Sequence, residues 1–510
     1  MRKIKSMYNI IASIISYFIS MICTFITQAL IIKILGIEYS GVNGLFSNII
    51  TMLSVAELGI GTTIIFKLYK PIADNDIEKI KSWLNFYKVC YRIVAIFVFI
   101  VGTIIIPIVP MIVGKVNIEE NLILLYFITL LDTVFSYIMT YKRSLLYADQ
   151  KNYIINFVHM GYTVLLNLTQ IIVLIFTKSY ILFLIVKLVY RLLENCIINV
   201  YVDKNYKYVR EKCDKINKGE KKDIIERLKA IFLQKVSFVI NKGIDSITIS
   251  CFLGVTTVGY YTNYNLVVTT ICGIIYQIIS GFCASVGNLL TENDLKKNFD
   301  IYKKINMINS YITGMAIIGF VCCIQPFISL WVGSEFVLDY LVIISFGIYI
   351  YSDSIRRSIT IFKEAAGICK EDQYIYVIMA IINLIFSICL CKVLGIAGVI
   401  LGTAISYLFL ILYSYPKYIF KPVFKQRVGK YYFEILKYIL FICITLVLII
   451  AIQSKMKIYN MAWKFIINGL SCIVIYNILF LMFFNRTNEF RYFLELIRRK
   501  VRREKWKKLH

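Results

Sequence analysis

The sequence predicts an all-α polytopic membrane protein, and three observations lead to this fold class. The 510 residues are 59% hydrophobic and 17% charged, which is more apolar surface than a water-soluble chain can bury. The apolar residues form about fourteen runs, most of them about 20 residues or longer, joined by short connections. In lipid every backbone amide must be satisfied within its own segment, and such runs are too long for barrel strands, so the spans are expected to be helices.

We expect about fourteen transmembrane helices, one for each apolar run in order. The first run continues past the length of a signal-peptide core and has no small-residue cleavage site, so we expect it to stay in the protein. The predicted spans are 7–32, 40–67, 84–113, 121–144, 153–176, 179–201, 228–253, 256–290, 299–330, 337–362, 372–391, 395–416, 431–453 and 460–484.

Basic residues collect in alternate connections, which fixes the expected orientation. Most of the 57 Lys and Arg residues fall in the terminal segments and in every second loop, and the other side holds few. The positive-inside rule then places both termini in the cytoplasm. The formal charge of +27 is therefore a topology signal spread over many loops, and we expect no nucleic-acid partner.

An internal repeat divides the chain. Three echoes recur in the same order at an offset near 218, which predicts duplication of a six-helix unit in parallel topology. The echoes are Leu35-Gly36 to Gly41 with Leu253-Gly254 to Gly259, Pro107 to Gly114 with Pro326 to Gly333, and Arg143-Ser144 with Arg357-Ser358. The predicted domains are an N-lobe at 1–201, a cytoplasmic amphipathic linker at 202–229, a pseudo-symmetric C-lobe at 230–417, two further spans within 431–484, and a basic interfacial tail at 485–510.

Several function classes are excluded by what the sequence lacks. There is no Walker A motif and no soluble insertion large enough for a catalytic domain, so we expect no enzyme and no ATP coupling. Almost all of the 14 cysteines lie within spans, and the two histidines, His159 and His510, cannot form a histidine-based metal site. We therefore expect no cofactor and no metal. An ion gradient or the substrate gradient would supply the energy.

Candidate site residues are the ionisable side chains inside the spans, because each costs several kcal/mol unless it faces a cavity or a partner. Lys242, with Lys235 and Arg191, could form a cationic patch for an anionic head group, since ammonium and guanidinium groups favour phosphate oxygens. The candidate counter-charges or proton carriers are Glu57, Asp245, Glu194 and Asp132. The alternative is internal pairing, Lys242 with Asp245 and Arg191 with Glu194.

Three arginines lie near the inner ends of spans. Arg143, Arg356 and Arg357 could admit a substrate from the cytoplasm. Topology and snorkelling toward lipid head groups are the alternative explanation.

At these residues the chain resembles a known family. The segments LGIEYSGVNGLFSNIITMLSVAELGIG, FKLYKPIADNDIEKIKSWLNFYKVCYR, KRSLLYADQKNYI and RLLEN resemble Wzx-type oligosaccharide repeat-unit flippases, and the likeness covers most of the chain. These flippases form the polysaccharide transporter branch of the multidrug/oligosaccharidyl-lipid/polysaccharide exporter superfamily, which has fourteen helices in two lobes.

The resemblance implies a substrate and partners. The family moves undecaprenyl-pyrophosphate-linked oligosaccharides from the inner to the outer leaflet by alternating access, for capsule or O-antigen assembly. A lipid-linked oligosaccharide, membrane lipids, a polysaccharide polymerase and chain-length proteins are the implied partners. The family's cavity is lined mainly by the first two helices of each lobe, where Asn263 and Gln277 of span eight could hydrogen-bond sugars.

Three alternatives stay open. A drug or metabolite antiporter of the same superfamily would share the fold, but a mid-span lysine is unfavourable for cationic drugs. A lipid II flippase would differ only in cargo. A membrane polysaccharide polymerase or glycosyltransferase would need a large outward loop, which is missing.

Overall fold

The computed structural model describes residues 2–54, 67–72, 74–138, 140–149, 151–211, 236–237, 239, 243–292, 294–368, 371–456 and 459–491. Every regular element in these residues is helical, which confirms the predicted all-helical class. The predicted linker helix and the end of the basic tail lie outside the described residues.

The longer helices are numbered here in chain order. Those of the first part are α1 (Arg2–Ile34), α2 (Ile37–Leu53), α3 (Ile77–Ile105), α4 (Leu122–Ile138), α5 (Asn152–Thr177), α6 (Tyr180–Asn205) and α7 (Gly243–Leu253). Those of the second part are α8 (Val255–Ser280), α9 (Leu295–Trp331), α10 (Tyr340–Ile355), α11 (Gln373–Leu394), α12 (Ile396–Phe409), α13 (Val428–Ser454) and α14 (Met461–Phe484). Short helices such as Arg143–Ala148 and Arg357–Ala365 follow α4 and α10.

Ten helices within the described residues are long and apolar enough to cross a membrane. The helices α2, α6, α7 and α10 are not among them. Helix α6 carries three charged residues within its apolar stretch, α10 has 16 residues, and the predicted spans that contain α2 and α7 include residues outside those described. The chain is a multi-pass membrane protein by composition and helix length, and the count of fourteen spans stays a prediction.

The end of the predicted twelfth span differs from expectation. We expected the helix to stop near 416, at a proline and several lysines, but α12 continues through two π-helical turns and Lys421–Phe424. The wide turns accommodate Pro416, which cannot donate a backbone hydrogen bond. The extension forms because Phe420 and Phe424 are fully buried against Tyr302.

The chain divides into two compact units, Met1–Asn263 and Tyr264–His510. In the first unit α3 packs on α4, α4 on α6, and α5 on α6. In the second unit α9 packs on α10, α10 on α12, and α11 on α12. Each pairing of the first unit recurs six helices later, as duplication of a six-helix unit would produce.

Glycines explain why the echoes are visible in the sequence. Gly36 and Gly254, just before α2 and α8, have φ of 108° and 86°. Gly114 and Gly333, which end the second echo, have φ of 73° and 136°. An L side chain rarely adopts these angles, so each of the four turns requires glycine.

Candidate functional site

Helices α4, α5 and α6, with the short helix Arg143–Ala148, gather the charged side chains of the first unit. Ser179 caps the N-terminus of α6, and its hydroxyl accepts a hydrogen bond from the backbone N–H of Leu182. From that start, Lys187, Arg191 and Glu194 follow at spacings of four and three, which places them on one helical face. This face meets Asp132 of α4, and we call these side chains together with Arg143 and His159 the charged cluster.

Asp132 is buried and is held by two cations of α6. Its Oδ1 lies 3.4 Å from Arg191 Nε, and its Oδ2 lies 3.7 Å from Lys187 Nζ. The Arg191 guanidinium also lies 5.3 Å from the ring centre of Tyr162 on α5. Arg191 therefore connects three helices through one planar group.

Glu194 is completely buried and has three partners. Arg191 Nη1 lies 3.2 Å from its Oε2, and Arg143 Nη2 lies 3.3 Å from its Oε1. His159 Nδ1 lies 3.0 Å from the same Oε1. The expected pairing of Arg191 with Glu194 therefore exists, within a larger network than the sequence indicated.

A cleft of about 260 Å³ opens beside Arg143 and Arg191, lined also by Asp132 and Asn195. Arg143 Nη2 donates to Asn195 Oδ1 at 2.8 Å, whereas its buried Nε has no hydrogen-bond acceptor within the described part of the chain. Asn195 is held in turn, since its Nδ2 donates to the carbonyl oxygen of Phe135 at 3.2 Å.

The fixed charges of the charged cluster do not balance. Arg143, Lys187 and Arg191 carry three positive charges, and Asp132 and Glu194 carry two negative charges. One cation is thus in excess even with His159 neutral. This excess makes the cleft suited to an anion, because a guanidinium binds phosphate or carboxylate oxygens with paired hydrogen bonds.

The second unit has its own buried carboxylate with two arginines. Asp353 of α10 accepts hydrogen bonds from Arg356 Nη2 at 2.5 Å and from Arg357 Nη2 at 2.7 Å. Arg356 lies over the Tyr407 ring at 4.6 Å, and Arg357 lies over the Tyr276 ring at 4.9 Å. The two arginines are largely buried, which is unlike the exposed, snorkelling arginines that were the alternative expectation.

Buried polar side chains surround Asn263 in the first unit. Gln28 Nε2 donates to Asn263 Oδ1 at 2.8 Å and lies 2.6 Å from Ser40 Oγ. Asp245 of α7 is also buried, and its Oδ2 lies 3.5 Å from the Tyr261 hydroxyl. Asn263 is thus bonded within the protein, and its amide nitrogen has no acceptor in the described residues.

The remaining predicted site residues are dispersed or not described. Gln277 is exposed near the end of α8, fourteen residues beyond Asn263, so the two lie about 21 Å apart along the helix. Glu57, Lys235 and Lys242 lie outside the described residues, and so does the expected pairing of Lys242 with Asp245.

Sequence reasoning missed two members of the site. His159 was considered only as a metal ligand, and Asn195 was not considered. The spacing Lys187, Arg191 and Asn195, four residues at each step, could have indicated a polar stripe on α6. His159 carries no comparable signal, because its partner Glu194 lies on another helix.

Solved structures with the same fold are transporters. The structure described as "Lipid II flippase MurJ, inward closed conformation" has a TM-score of 0.67 and 18% identity, and the match covers 93% of this chain and 99% of that one. An inward-facing multidrug resistance MATE family transporter of the MOP superfamily has a TM-score of 0.57 and 13% identity, covering 76% and 91% of the two chains. A point mutant of the Vibrio cholerae MATE transporter VcmN has a TM-score of 0.56 and 12% identity, covering 84% and 99%.

No protein-family model matches the chain, and no curated protein matches it. The chain therefore has the fold of MOP superfamily transporters and flippases. These structural neighbours are described as a flippase and as transporters. Among them, MurJ is described as a lipid II flippase, and the inward-facing MATE protein is described as a multidrug resistance transporter.

Proposed function

We propose that the protein is a flippase of the MOP superfamily that moves a polyprenyl-pyrophosphate-linked oligosaccharide repeat unit from the inner to the outer leaflet of a bacterial cytoplasmic membrane. The observation that carries this proposal is the cleft beside Arg143 and Arg191, with its excess cation. A polyprenyl pyrophosphate supplies the anionic oxygens that such a cleft would bind. The fold agrees, because flippases and exporters share it.

The size of the cleft limits what it would bind. About 260 Å³ is at or below the small end of ligand pockets, so the cleft suits a diphosphate group and not a whole oligosaccharide. The sugars would contact other polar groups, for which Asn263 and Gln277 stay candidates, and the polyprenyl tail would remain in lipid. Lys242 and Lys235 would add positive charge along the same route, with Glu57 and Asp245 as counter-charges.

Moving the lipid across the membrane requires that the negative charge of its head group be neutralised. A bare anion in hydrocarbon costs tens of kcal/mol by ideal solvation estimates, and pairing with guanidinium groups removes most of that cost. Arg356 and Arg357 would admit the head group from the cytoplasmic side, where the basic loops also place both termini. Rocking between inward-open and outward-open states would then expose it to the other leaflet.

A second candidate for the transported molecule is lipid II. The fold similarity to the lipid II flippase MurJ, over 93% of this chain, favours lipid II as that cargo. A multidrug antiporter is less well supported, because cationic drugs need an acidic site and the charged cluster has an excess of cations. The proposed partners of a repeat-unit flippase are a polysaccharide polymerase and chain-length proteins, for capsule or O-antigen assembly.

The proposal is tested by deleting the gene in its host and locating the lipid-linked intermediates with a membrane-impermeant probe. Complete repeat units should accumulate on the inner leaflet, and wild type should return them to the surface whereas Arg143→Gln or Lys242→Ala should not. Accumulated lipid II would favour the second cargo. Truncated units would indicate a transferase, complete units on the outer leaflet a polymerase, and an unchanged lipid pool an exporter of something else.

A further inference from the structure

A second cleft opens at the end of the first unit that the basic loops place in the cytoplasm, and we call it the interfacial pocket. It lies between the beginning of α3, the turn after α4 and the residues that follow α6. Its volume is about 260 Å³, and it is lined by Lys81, Leu84, Asn85, Lys88, Tyr141, Lys142, Val209 and Glu211. None of these residues lines the cleft beside Arg143 and Arg191, so the two are separate sites.

Three lysines line the interfacial pocket, and carboxylates hold two of them. Lys81 is buried, and its Nζ lies 2.5 Å from Glu78 Oε1 and 3.2 Å from Glu211 Oε2. Lys142 Nζ lies 2.5 Å from Asp203 Oδ1. These ion pairs fix both ammonium groups at the wall of the pocket.

Lys88 is the third lysine, and in the described part of the chain no carboxylate lies within 4 Å of its Nζ. Its Nζ lies 5.7 Å from the ring centre of Tyr141, a cation–π contact that holds the ammonium beside the pocket. Arg92 is exposed one turn further along α3. Three carboxylates thus stand against four cations, which are Lys81, Lys88, Arg92 and Lys142. The excess positive charge makes the pocket suited to an anion.

Helix α3 connects the pocket with the hydrocarbon region. Ile96 and Phe99 follow Arg92 at four and seven residues, a spacing that places the three side chains next to one another along the helix. Ile96 is 58% exposed and Phe99 is 38% exposed. A ligand whose phosphate lies at Lys88 therefore meets apolar side chains toward the membrane centre, as an amphiphile requires.

We propose that the interfacial pocket binds the head group of an anionic glycerophospholipid of the inner leaflet, of the phosphatidylglycerol class. The phosphodiester pairs with Lys88 and Arg92, and the glycerol hydroxyls donate hydrogen bonds to Glu211 and to the amide oxygen of Asn85. Basic pockets between membrane helices at this depth bind anionic lipid head groups. About 260 Å³ holds such a head group and leaves the acyl chains outside, along α3. This site goes beyond the proposed function, and neither depends on the other.

The test titrates the full-length protein in detergent with dioleoylphosphatidylglycerol and measures bound lipid by native mass spectrometry. Wild type is compared with Lys88→Gln and with Lys296→Gln, since Lys296 is exposed in the first turn of α9 in the second unit. Each variant loses one positive charge. We expect wild type and Lys296→Gln to bind one lipid with equal affinity. Lys88→Gln should bind it roughly tenfold more weakly, because it loses a hydrogen bond between charged groups.

A second variant should act in the opposite direction and keeps the test informative if Lys88→Gln does not fold. The Glu211 side chain is 61% exposed, and Lys81 keeps Glu78 when the charge of Glu211 is removed. Glu211→Gln increases the excess of cations in the pocket and retains an oxygen that accepts a hydrogen bond. It should therefore bind phosphatidylglycerol more tightly than wild type, whereas a purely structural role of Glu211 would not raise the affinity.

Two further ligands identify the source of the phosphate. Dioleoylphosphatidylethanolamine has no net charge and should bind more weakly than phosphatidylglycerol. Glycerol 1-phosphate has no acyl chains and should not displace the lipid at equal concentration. Equal binding by Lys88→Gln and Lys296→Gln, equal affinity for the two lipids, or displacement by glycerol 1-phosphate would each overturn the lipid site and leave the flippase proposal standing.

Discussion

Gly41 of α2 and Gly259 of α8 each lie against the other's helix, at equivalent positions of the repeat. A Cβ on Gly41 would overlap the carbonyl oxygen of Val255, and a Cβ on Gly259 would lie 2.6 Å from the carbonyl oxygen of Ile37. Ile37 and Val255 are 218 positions apart, and so are the two glycines. The contact is therefore reciprocal between equivalent positions of the two helices.

Alanine at either glycine should destabilise the protein. The atom that the new Cβ meets belongs to backbone and cannot turn away as a flexible side chain can, so we expect a loss of about 1–3 kcal/mol for Gly41→Ala or Gly259→Ala. The better helix propensity of alanine offsets up to about 1 kcal/mol of that loss. Thermal unfolding in detergent measures the effect.

Gly161 on α5 is the matched control, because a Cβ there would meet nothing within 4 Å. Gly161→Ala should therefore keep or raise stability, by up to about 1 kcal/mol. Equal stability of Gly41→Ala and Gly161→Ala would contradict the close crossing of α2 and α8.

Arg191→Lys should destabilise the first unit although it keeps the charge. Arg191 contacts Asp132 through Nε and Glu194 through Nη1, and a lysine ammonium cannot occupy both places. Asp132 keeps Lys187 and Glu194 keeps Arg143, so the loss should be smaller than the cost of about 3–5 kcal/mol for a buried charge left without its partner. Thermal unfolding should show a lower midpoint for this variant. The exposed Arg486, just beyond α14, supplies the control Arg486→Lys, which should match wild type.

Asp353→Asn should destabilise the second unit by about 3–5 kcal/mol, because it leaves two largely buried guanidinium groups without their carboxylate. Asp339→Asn is the control, since Asp339 is exposed and its side chain makes no capping hydrogen bond. If both variants melt at the same temperature, the buried pairing of Asp353 is not a source of stability.

A hydrogen-bonded network of three side chains joins the connection before α5 to the end of α6. Lys151 Nζ lies 2.7 Å from Asp149 Oδ2 and 2.9 Å from the Tyr206 hydroxyl, which itself donates to Asp149 at 2.6 Å. Lys151→Met should cost about 1 kcal/mol, and the exposed Lys204→Met should cost less than half of that.

The same network predicts how the contribution of Lys151 to stability depends on pH. Burial lowers the pKa of Lys151, but the hydrogen bonds to Asp149 and Tyr206 outweigh burial and raise it above its ordinary value. A raised lysine pKa stabilises the folded state at every pH below about 10.4 and ceases to do so only above the raised value. The difference in thermal stability between wild type and Lys151→Met should therefore be constant between pH 6 and 9, and a difference that disappears within this range would refute the pairing.

Periodicity and glycine positions predicted the fold well, since apolar length determines a membrane helix and positive-φ turns require glycine, as at Gly36 and Gly254. The continuation of α12 to Phe424 was not predicted, because burial of Phe420 and Phe424 overrode the local signals of Pro416 and lysine. Local sequence cannot reveal such a tertiary contact.

Only part of the charged cluster was predicted, because part of it depends on contacts between helices. Arg191 and Glu194 share one helix, so their spacing alone indicates a pair. Asp132, Arg143 and His159 reach them from other elements, and sequence spacing has no information about contacts between helices. Asn263 stays a candidate for contact with sugars, and its hydrogen bond from Gln28, a residue 235 positions away, is likewise a contact between helices that sequence spacing does not show.

The central claim is tested most directly by reconstituting the protein into vesicles that contain a fluorescent undecaprenyl-pyrophosphate-linked oligosaccharide and adding a membrane-impermeant quencher. Without protein only the outer leaflet should be quenched. Wild type should make nearly all of the lipid accessible, and Arg143→Gln should slow this markedly while Arg486→Lys should not. Full accessibility with Arg143→Gln would contradict the assigned anion site, and an inaccessible inner leaflet with wild type would contradict the flippase function itself.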